Sequence, residues 1–429
     1  MTAAFRFLTA GESHGPALGA TIEGVPAGLA LSGDAIAIDL ARRQRGYGRG
    51  ARQAIEQDRA EILGGVRHGL TLGSPILLLV RNRDWENWTQ VMQVERLDEA
   101  QAAELAASAE SGNKRAIPVT RVRPGHADLA GALKYGFNDV RDVLERASAR
   151  ETAARVAAGA IARAFLAELG IDTWSFTAEV GGVALDPARA TRSRAEADAS
   201  PLRCPDPDGE AAMIERIDQA RAAGDTVGGV LEVVVHGLPI GLGSYVHWDR
   251  RLDAALAAAV MSINIIKGVE FGLGFEQTRR FGSSVHDVVA GRDEDGQWVH
   301  RSNNAGGLTG GVTNGQPLVV RAAVKPISTL ARPLPSADLI SGAAVDKAHY
   351  ERSDISVVPA AGVVAEAMVM LTLARFVVEK FGGDTMEDVR ASLASYRARI
   401  GRPLEAPRAG GRRRSPGAGS GEAGSGGDD

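Results

Sequence analysis

Residues 302–317 read S-N-N-A-G-G-L-T-G-G-V-T-N-G-Q-P, with five glycines, four of them in the pairs Gly306-Gly307 and Gly310-Gly311. No helix or strand interior tolerates that density, because each glycine loses more backbone entropy on ordering than alanine does. The segment also lacks the Ser/Glu/Lys padding of a flexible linker. It runs straight into an apolar strand, Leu318 to Val324, which ends at Lys325-Pro326. A backbone without Cβ atoms can approach a flat or phosphorylated ligand closely, so the segment reads as a ligand-contacting loop placed ahead of a strand.

The chain of 429 residues is long enough for one large domain or two ordinary ones. Its net charge of −4, from 49 basic and 53 acidic residues, is not that of a polycation for nucleic acid. The single cysteine, Cys204, permits no internal disulfide and fits a reducing compartment, the cytoplasm. A strand from Phe5 to Leu8 stands at the N-terminus with no charged-then-apolar signal before it. The longest apolar stretch, 360–378, carries Glu366 and Arg375 and reads as a buried helix, with Pro359 near its start and Gly382 past its end, rather than a membrane span. From Pro403 the composition turns to Gly, Ser and Arg, which predicts one ordered unit over 1–402 and a disordered tail over 403–429. The tail holds a literal G-x-G-x-x-G without a strand before it or a helix after it, so the Rossmann reading fails. No P-loop, H-E-x-x-H or paired Cys/His spacing is present, and no metal is expected.

Helices are expected at Ser32–Arg43, Leu97–Ala109, Ala211–Ala223 and from Asp249, as cap, through Ile266. Strands are expected at 61–63, 76–80, 171–180 and 230–235, with 186–209 a polar excursion. Gly11-Glu12-Ser13-His14-Gly15 matches G-x-S-x-G, but Pro16 and a strand-like run follow where a nucleophile elbow needs a helix. R-P-G-H-A-D at Arg123 to Asp128 places a second histidine, His126, just beyond a turn. Ser148-x-x-Glu151 reads as a capping box opening a helix to Leu169, flanked by Arg146 and Arg150. Two extra cations at the positive end of a helix favour an anion there. Lys325-Pro326-Ile327-Ser328-Thr329 adds a cation and two hydroxyls suited to phosphate. Arg42, Arg43, Arg45, Arg49 and Arg52 interleave with three glycines, and guanidinium forks on such backbone suit phosphate and carboxylate.

Two turn histidines, several arginine-rich loops and Lys325 describe a site for a ligand with several negative charges. A charge-assisted hydrogen bond contributes roughly 1.5–3 kcal/mol, so a polyanion needs several converging cations, and histidine can protonate a leaving group near neutral pH. Two readings from other classes stay open on these residues alone. One is a serine hydrolase using Ser13; the other is an RNA-binding protein using Arg42 to Arg52, although only Tyr47 offers a base a stacking partner.

The blocks Gly11–Pro16, R-A-S-A-R-E-T-A at Arg146–Ala153 and Ser302–Pro317, with R-P-G-H-A-D and K-P-I-S-T, resemble the signature blocks of the chorismate synthase family, in the right order from about Phe5 to Phe381. The resemblance implies an α+β fold, a β-α-β sandwich in a single large domain, assembled as a homotetramer. It implies anti-1,4-elimination of phosphate from 5-enolpyruvylshikimate-3-phosphate to give chorismate, with reduced FMN and no net redox change. Reduced flavin would lend electron density to the breaking C–O bond, and its N5 would take the departing proton. By the same resemblance, His14 stands beside the leaving phosphate, His126 protonates the reduced flavin and Asp354 assists deprotonation near N5. Arg43, Arg49, Arg123, Ser148, Arg150 and Arg352 hold the substrate. Arg146, Ala147, Ser148, Asn264, Ile265, Gly310, Arg352 and the run Lys325, Pro326, Ile327, Ser328 and Thr329 line the flavin. Many family members have Ser-Ser where this chain has Ala147-Ser148, which removes one hydroxyl. No reductase domain is evident, so an external reductant is expected, and direct use of NADP(H) stays open.

Overall fold

The computed structural model describes residues 5–50, 58–186, 193–294, 296–351 and 354–402. Arg52, Arg352 and the tail 403–429 lie outside the described residues.

Two antiparallel sheets enclose a layer of helices. The first sheet has the order Arg6–Ala10, Ala17–Glu23, Ile76–Arg81, Ala60–Gly64. Its alternation sends Leu18, Ala20, Ile22, Ile76, Leu78 and Val80 inward. The second sheet has the order Ile266–Phe271, Leu318–Val324, Gly229–His236, Asp172–Val180, Val183–Ala184. Leu318, Val320, Ala322 and Val324 are its inward side chains on the strand that follows the glycine-rich run. Between the sheets, Gly33–Gln44 and Thr152–Ala167 pack on the first, while Leu252–Met261 and the core helix Val358–Phe381 pack on the second. The layers are those of the expected β-α-β sandwich. The core helix is the one described helix long and apolar enough to cross a membrane, and it is buried in the protein.

Three sequence expectations fail locally. The helix expected from Asp249 to Ile266 runs only over Leu252–Met261, with Asp249 in a preceding 3-10 turn. Ile266 instead begins an edge strand paired with Leu318–Val324, so sheet pairing overrides the helical spacing. Ser148 caps a 3-10 turn by accepting from the Arg150 backbone N–H, and the helix proper starts at Thr152. Glu151 does not close a capping box; its carboxylate accepts from Thr9 Oγ1 at 2.7 Å and from Arg155. Third, the excursion at 186–209 carries buried Ala197, Leu202 and Cys204 and helps cover the outer face of the second sheet.

The two longest helices of the layer pack closely through small residues. Ala153, Ala154, Ala157, Ala158 and Ala160 are buried along Thr152–Ala167. At Gly159 a Cβ would lie 2.4 Å from Ala367 Cβ and 2.7 Å from Ala367 Cα on the core helix. Gly159→Ala therefore forces the helices apart. Alanine gains about 1 kcal/mol in helix propensity, but overpacking costs about 1–3 kcal/mol. We expect a lower urea midpoint for Gly159→Ala, recovered only in part by adding Ala367→Gly, because the backbone Cα stays in the way. A midpoint at or above the parent's would show that the two helices separate freely.

Candidate active site

The first sheet brings His14 to one end of the helical layer. After Arg6–Ala10 the chain turns at Gly11, whose φ of +100° and whose Cβ position, 2.4 Å from the Ala17 carbonyl oxygen, admit only glycine. The turn is docked by Ser13 N–H donating to the Glu145 carbonyl oxygen at 3.0 Å and His14 N–H donating to Glu145 Oε2 at 2.9 Å. The His14 ring is buried, with Nδ1 2.9 Å from both Glu145 carboxylate oxygens and its face stacked on Trp88, centroids 3.9 Å apart. A strand, Ala17–Glu23, follows this turn, so the strand-to-helix geometry of a hydrolase elbow at Ser13 is absent.

The helical layer supplies the arginines. Arg43, at the last turn of Gly33–Gln44, donates from Nε to Thr152 Oγ1 at 2.9 Å and from Nη2 to the Ala149 carbonyl at 3.0 Å. Asp58 lies between Arg43 and Arg150, at 3.5 and 3.2 Å. Arg49 Nη1 stands 3.4 Å from Asp354 Oδ2, and the Gly50 N–H donates to the other Asp354 oxygen at 2.6 Å. Arg123 donates to both oxygens of buried Asp128, and His126 Nδ1 is 2.5 Å from the same carboxylate. From the second sheet come Asn264 and Ile265, just before Ile266–Phe271, and Lys325 to Thr329, just after Leu318–Val324. Lys325 Nζ donates to the Gly125 carbonyl, which ties the Lys325 segment to the His126 turn.

These groups line one cavity of about 590 Å³. Of the residues expected from the sequence, it collects His14, Arg43, Arg49, Arg123, His126, Ala147, Ser148, Arg150, Asn264, Ile265, Lys325, Ile327, Ser328, Thr329 and Asp354. Arg146 and Pro326 are not in its lining; Arg146 turns back to donate to Thr9 and Gly11 carbonyl oxygens and anchors the turn instead. Gly310 sits apart, at the tip of a hairpin formed by Leu308–Thr309 and Val312–Thr313. The glycine-rich run does not line the cavity. Its glycines serve close backbone packing: a Cβ at Gly306 would meet the Gly272 nitrogen at 2.3 Å, and one at Gly307 the Pro317 oxygen at 2.6 Å. Arg42 is drawn into an ionic cluster with Glu366, and Arg43 and Arg49 face the cavity, so among the described arginines of the run only Arg45 is exposed. Sequence reasoning missed the acidic partners Asp58, Asp128, Glu145 and Glu351, and the role of Trp88. Asp128, inside R-P-G-H-A-D, and Glu351, two residues from His349, stood close enough in sequence to a partner to be found.

The rest of the lining is mostly apolar, with Leu144, Ile263, Val357, Ala360, Ala361 and Val364, but it also includes Ser13, Thr152, Tyr350 and Glu351. A cavity with apolar walls, cations and hydroxyls at its edge suits a flat ring carrying a phosphate. The family described as Chorismate synthase matches residues 5–378. Chorismate synthase 1 of Bacillus cereus is 53% identical over 396 residues, 91% of this chain and 98% of that protein. Chorismate synthase of Streptomyces avermitilis is 54% identical over 399 residues, 91% of this chain and 97% of that protein. A solved structure described as Crystal Structure of Chorismate Synthase matches with a TM-score of 0.73 at 41% identity, covering 94% of this chain and 99% of that one.

Electrostatics in the cavity follow from burial set against pairing. Burial would raise the Asp128 carboxyl, but hydrogen bonds from His126 and Arg123 outweigh it and hold it well below the usual carboxylate range. Burial and then the nearby Lys267 push the Lys325 ammonium below its ordinary value. Glu351 is lowered from 4.5 to about 2: burial acts upward, and His349, Arg123 and the more distant His14 outweigh it. A carboxylate whose pKa is lower in the folded chain stabilises the fold above its unfolded pKa, and that contribution is lost as pH falls through the folded value. For Glu351 the window runs from 4.5 down to about 2. Glu351→Gln should therefore be less stable than the parent at about pH 6, with the gap narrowing by about pH 3, in urea titrations. A gap that does not change with pH would show that the ionised carboxylate has no favourable partner.

Proposed function

The chain belongs to the chorismate synthase family, and from that premise we propose that it eliminates phosphate from 5-enolpyruvylshikimate-3-phosphate to give chorismate, with reduced FMN bound beside the substrate. The step makes the protein a carbon–oxygen lyase of the shikimate pathway toward the aromatic amino acids. One observation carries the reading: the turn after the first strand, the Arg146–Ala153 block, R-P-G-H-A-D and K-P-I-S-T, far apart in sequence, each place residues in one cavity.

Reduced FMN, when bound, supplies electron density to the allylic C–O bond and is not consumed. Ile263, Ile265 and Ile327 are suited to its ring, and Asn264, Lys325, Ser328 and Thr329 to its polar edge and phosphate. Arg43, Arg49, Arg123 and Arg150 hold the carboxylates and phosphate of the substrate, with Arg352 assigned alongside them from its place in the sequence. Their forks are already oriented by Asp58, Asp128 and Asp354, so little side-chain entropy is lost on binding. His14 donates a proton to the departing phosphate, His126 holds a proton beside the flavin, and Asp354 assists the deprotonation of the substrate ring. An external reductant supplies the reduced flavin. The enzyme works in the cytoplasm; exposed Tyr245, Trp248, Phe275 and Phe281 support its assembly as a homotetramer. The tail 403–429 takes no part in the chemistry.

An anaerobic assay with the purified protein, 5-enolpyruvylshikimate-3-phosphate and chemically reduced FMN tests this directly. Chorismate absorbance should rise only when the flavin is reduced. His14→Ala should lower single-turnover decay of the flavin signal by about 10²–10⁴-fold with flavin affinity unchanged; an unaltered decay would remove His14 from the chemistry. Arg49→Ala loses a charge-assisted hydrogen bond of roughly 1.5–3 kcal/mol, about a 10- to 100-fold rise in the substrate dissociation constant. A constant equal to the parent's would end that assignment.

A further inference from the structure

The carboxylate behind His14 carries more than a structural contact. Glu145 is almost wholly buried, and it meets the His14 turn three times: its carbonyl oxygen accepts from Ser13 N–H, and its carboxylate accepts from His14 N–H and lies 2.9 Å from His14 Nδ1 through both oxygens. A carboxylate can only accept, so Nδ1 carries the hydrogen, and Nε2 is the ring nitrogen on the other side. The ring face is fixed by Trp88, 3.9 Å away between centroids and tilted by 23°. That indole is itself anchored by its Nε1–H donating to Asp84 at 2.8 Å. Charged groups near His14 include Arg141, 3.5 Å from Glu145 and 5.4 Å from the Trp88 ring centroid, Arg115, 5.6 Å from the same centroid, and Glu351, whose carboxyl is lowered in part by His14.

We propose that Glu145 is a positioning residue for His14: it holds the imidazole as the Nδ1–H form with Nε2 toward the reaction. With the Trp88 face it also stabilises the imidazolium that serves the departing phosphate. The proposal rests on the reading of the reaction given above and adds no new step to it. The C–O bond breaks with its electron pair on the phosphate oxygen, and that oxygen takes the Nε2 proton. The electron pair of the broken C–H bond forms the new double bond, its proton leaves with the assistance of Asp354 and ends in solvent, and solvent returns a proton to the His14 imidazole. Glutamine at position 145 keeps the shape but offers an N–H as well as an oxygen, so it no longer dictates which ring nitrogen carries the hydrogen.

The test uses the full chain with ¹⁵N-labelled histidine, the His14 ring being assigned by its loss in His14→Asn. With the ring neutral, the parent should show the Nδ1–H tautomer, and Glu145→Gln should lose that signature. In the anaerobic assay Glu145→Gln should turn over about 10²–10³-fold more slowly, with substrate and FMN dissociation constants within about twofold of the parent. Glu145→Asp, which restores a carboxylate, should recover at least about tenfold of the loss. An Nε2–H tautomer in the parent overturns the proposal, as does Glu145→Gln turnover within about threefold of the parent or an Asp variant no better than Gln. If Glu145→Gln does not fold, the parent tautomer and the Asp variant still decide. A parent that makes no chorismate overturns the reaction assigned here, while the tautomer still decides what Glu145 does.

Discussion

A single buried carboxylate holds the helical layer in register. Glu366, fully buried on the core helix, accepts from Arg42 through both oxygens at 2.8 and 2.9 Å, from Arg203 at 3.1 Å, from Ser175 Oγ at 2.6 Å and from Arg163. Burial acts to raise its pKa, yet Arg163, Arg42 and Arg203 outweigh burial and bring it to about 2. A buried ion pair adds little net stability over well-packed apolar groups, but removing one member strands the others at a cost of about 3–5 kcal/mol. What this cluster fixes is position. It joins the core helix to Gly33–Gln44, to Thr152–Ala167, to the strand Asp172–Val180 and to the segment that covers the second sheet. Arg42 precedes Arg43, and Thr152 begins the helix that holds Arg163, so the same cluster sets where the cavity's arginines emerge.

Much of the scaffold was legible because it follows from apolar runs and their boundaries. A short apolar run marked Leu318–Val324, and a long apolar run with a single glutamate marked the core helix. The turn histidines and the K-P-I-S-T run were legible as chemistry before any fold was known. Tertiary pairing was not legible. Glu145 stands 131 residues from His14, and nothing in either neighbourhood announces the other. Ile266 sits at helical spacing from Leu252 but pairs with Val324, because an unpaired sheet edge competes with a short helix. The glycine-rich run misled for a related reason. Missing Cβ atoms serve a ligand or a second backbone equally well, and here Gly272 and Leu318 are the partners. Residue roles came from the family resemblance, since an arginine beside a carboxylate looks the same in a site and in a scaffold.

The pairing of nearly every cation with a carboxylate changes what the cavity is. It is less a positive funnel waiting for a polyanion than a set of fixed forks whose charges are partly offset, Asp58 serving both Arg43 and Arg150. Such a site discriminates by geometry, since an anion that cannot match the forks gains little from charge alone.

The cavity walls belong to different layers. The His14 turn hangs from the first sheet, Asn264 and Lys325 from the second, and Val357 and Ala360 from the core helix between them. Any molecule that fills the space touches all three at once and acts as a cross-brace. By mass action, a ligand at one hundred times its dissociation constant adds about 2.7 kcal/mol to the folded state. The metabolite and cofactor supply of the cell would then set how firmly the two halves of the sandwich are held, and a starved molecule would be the one a protease opens first.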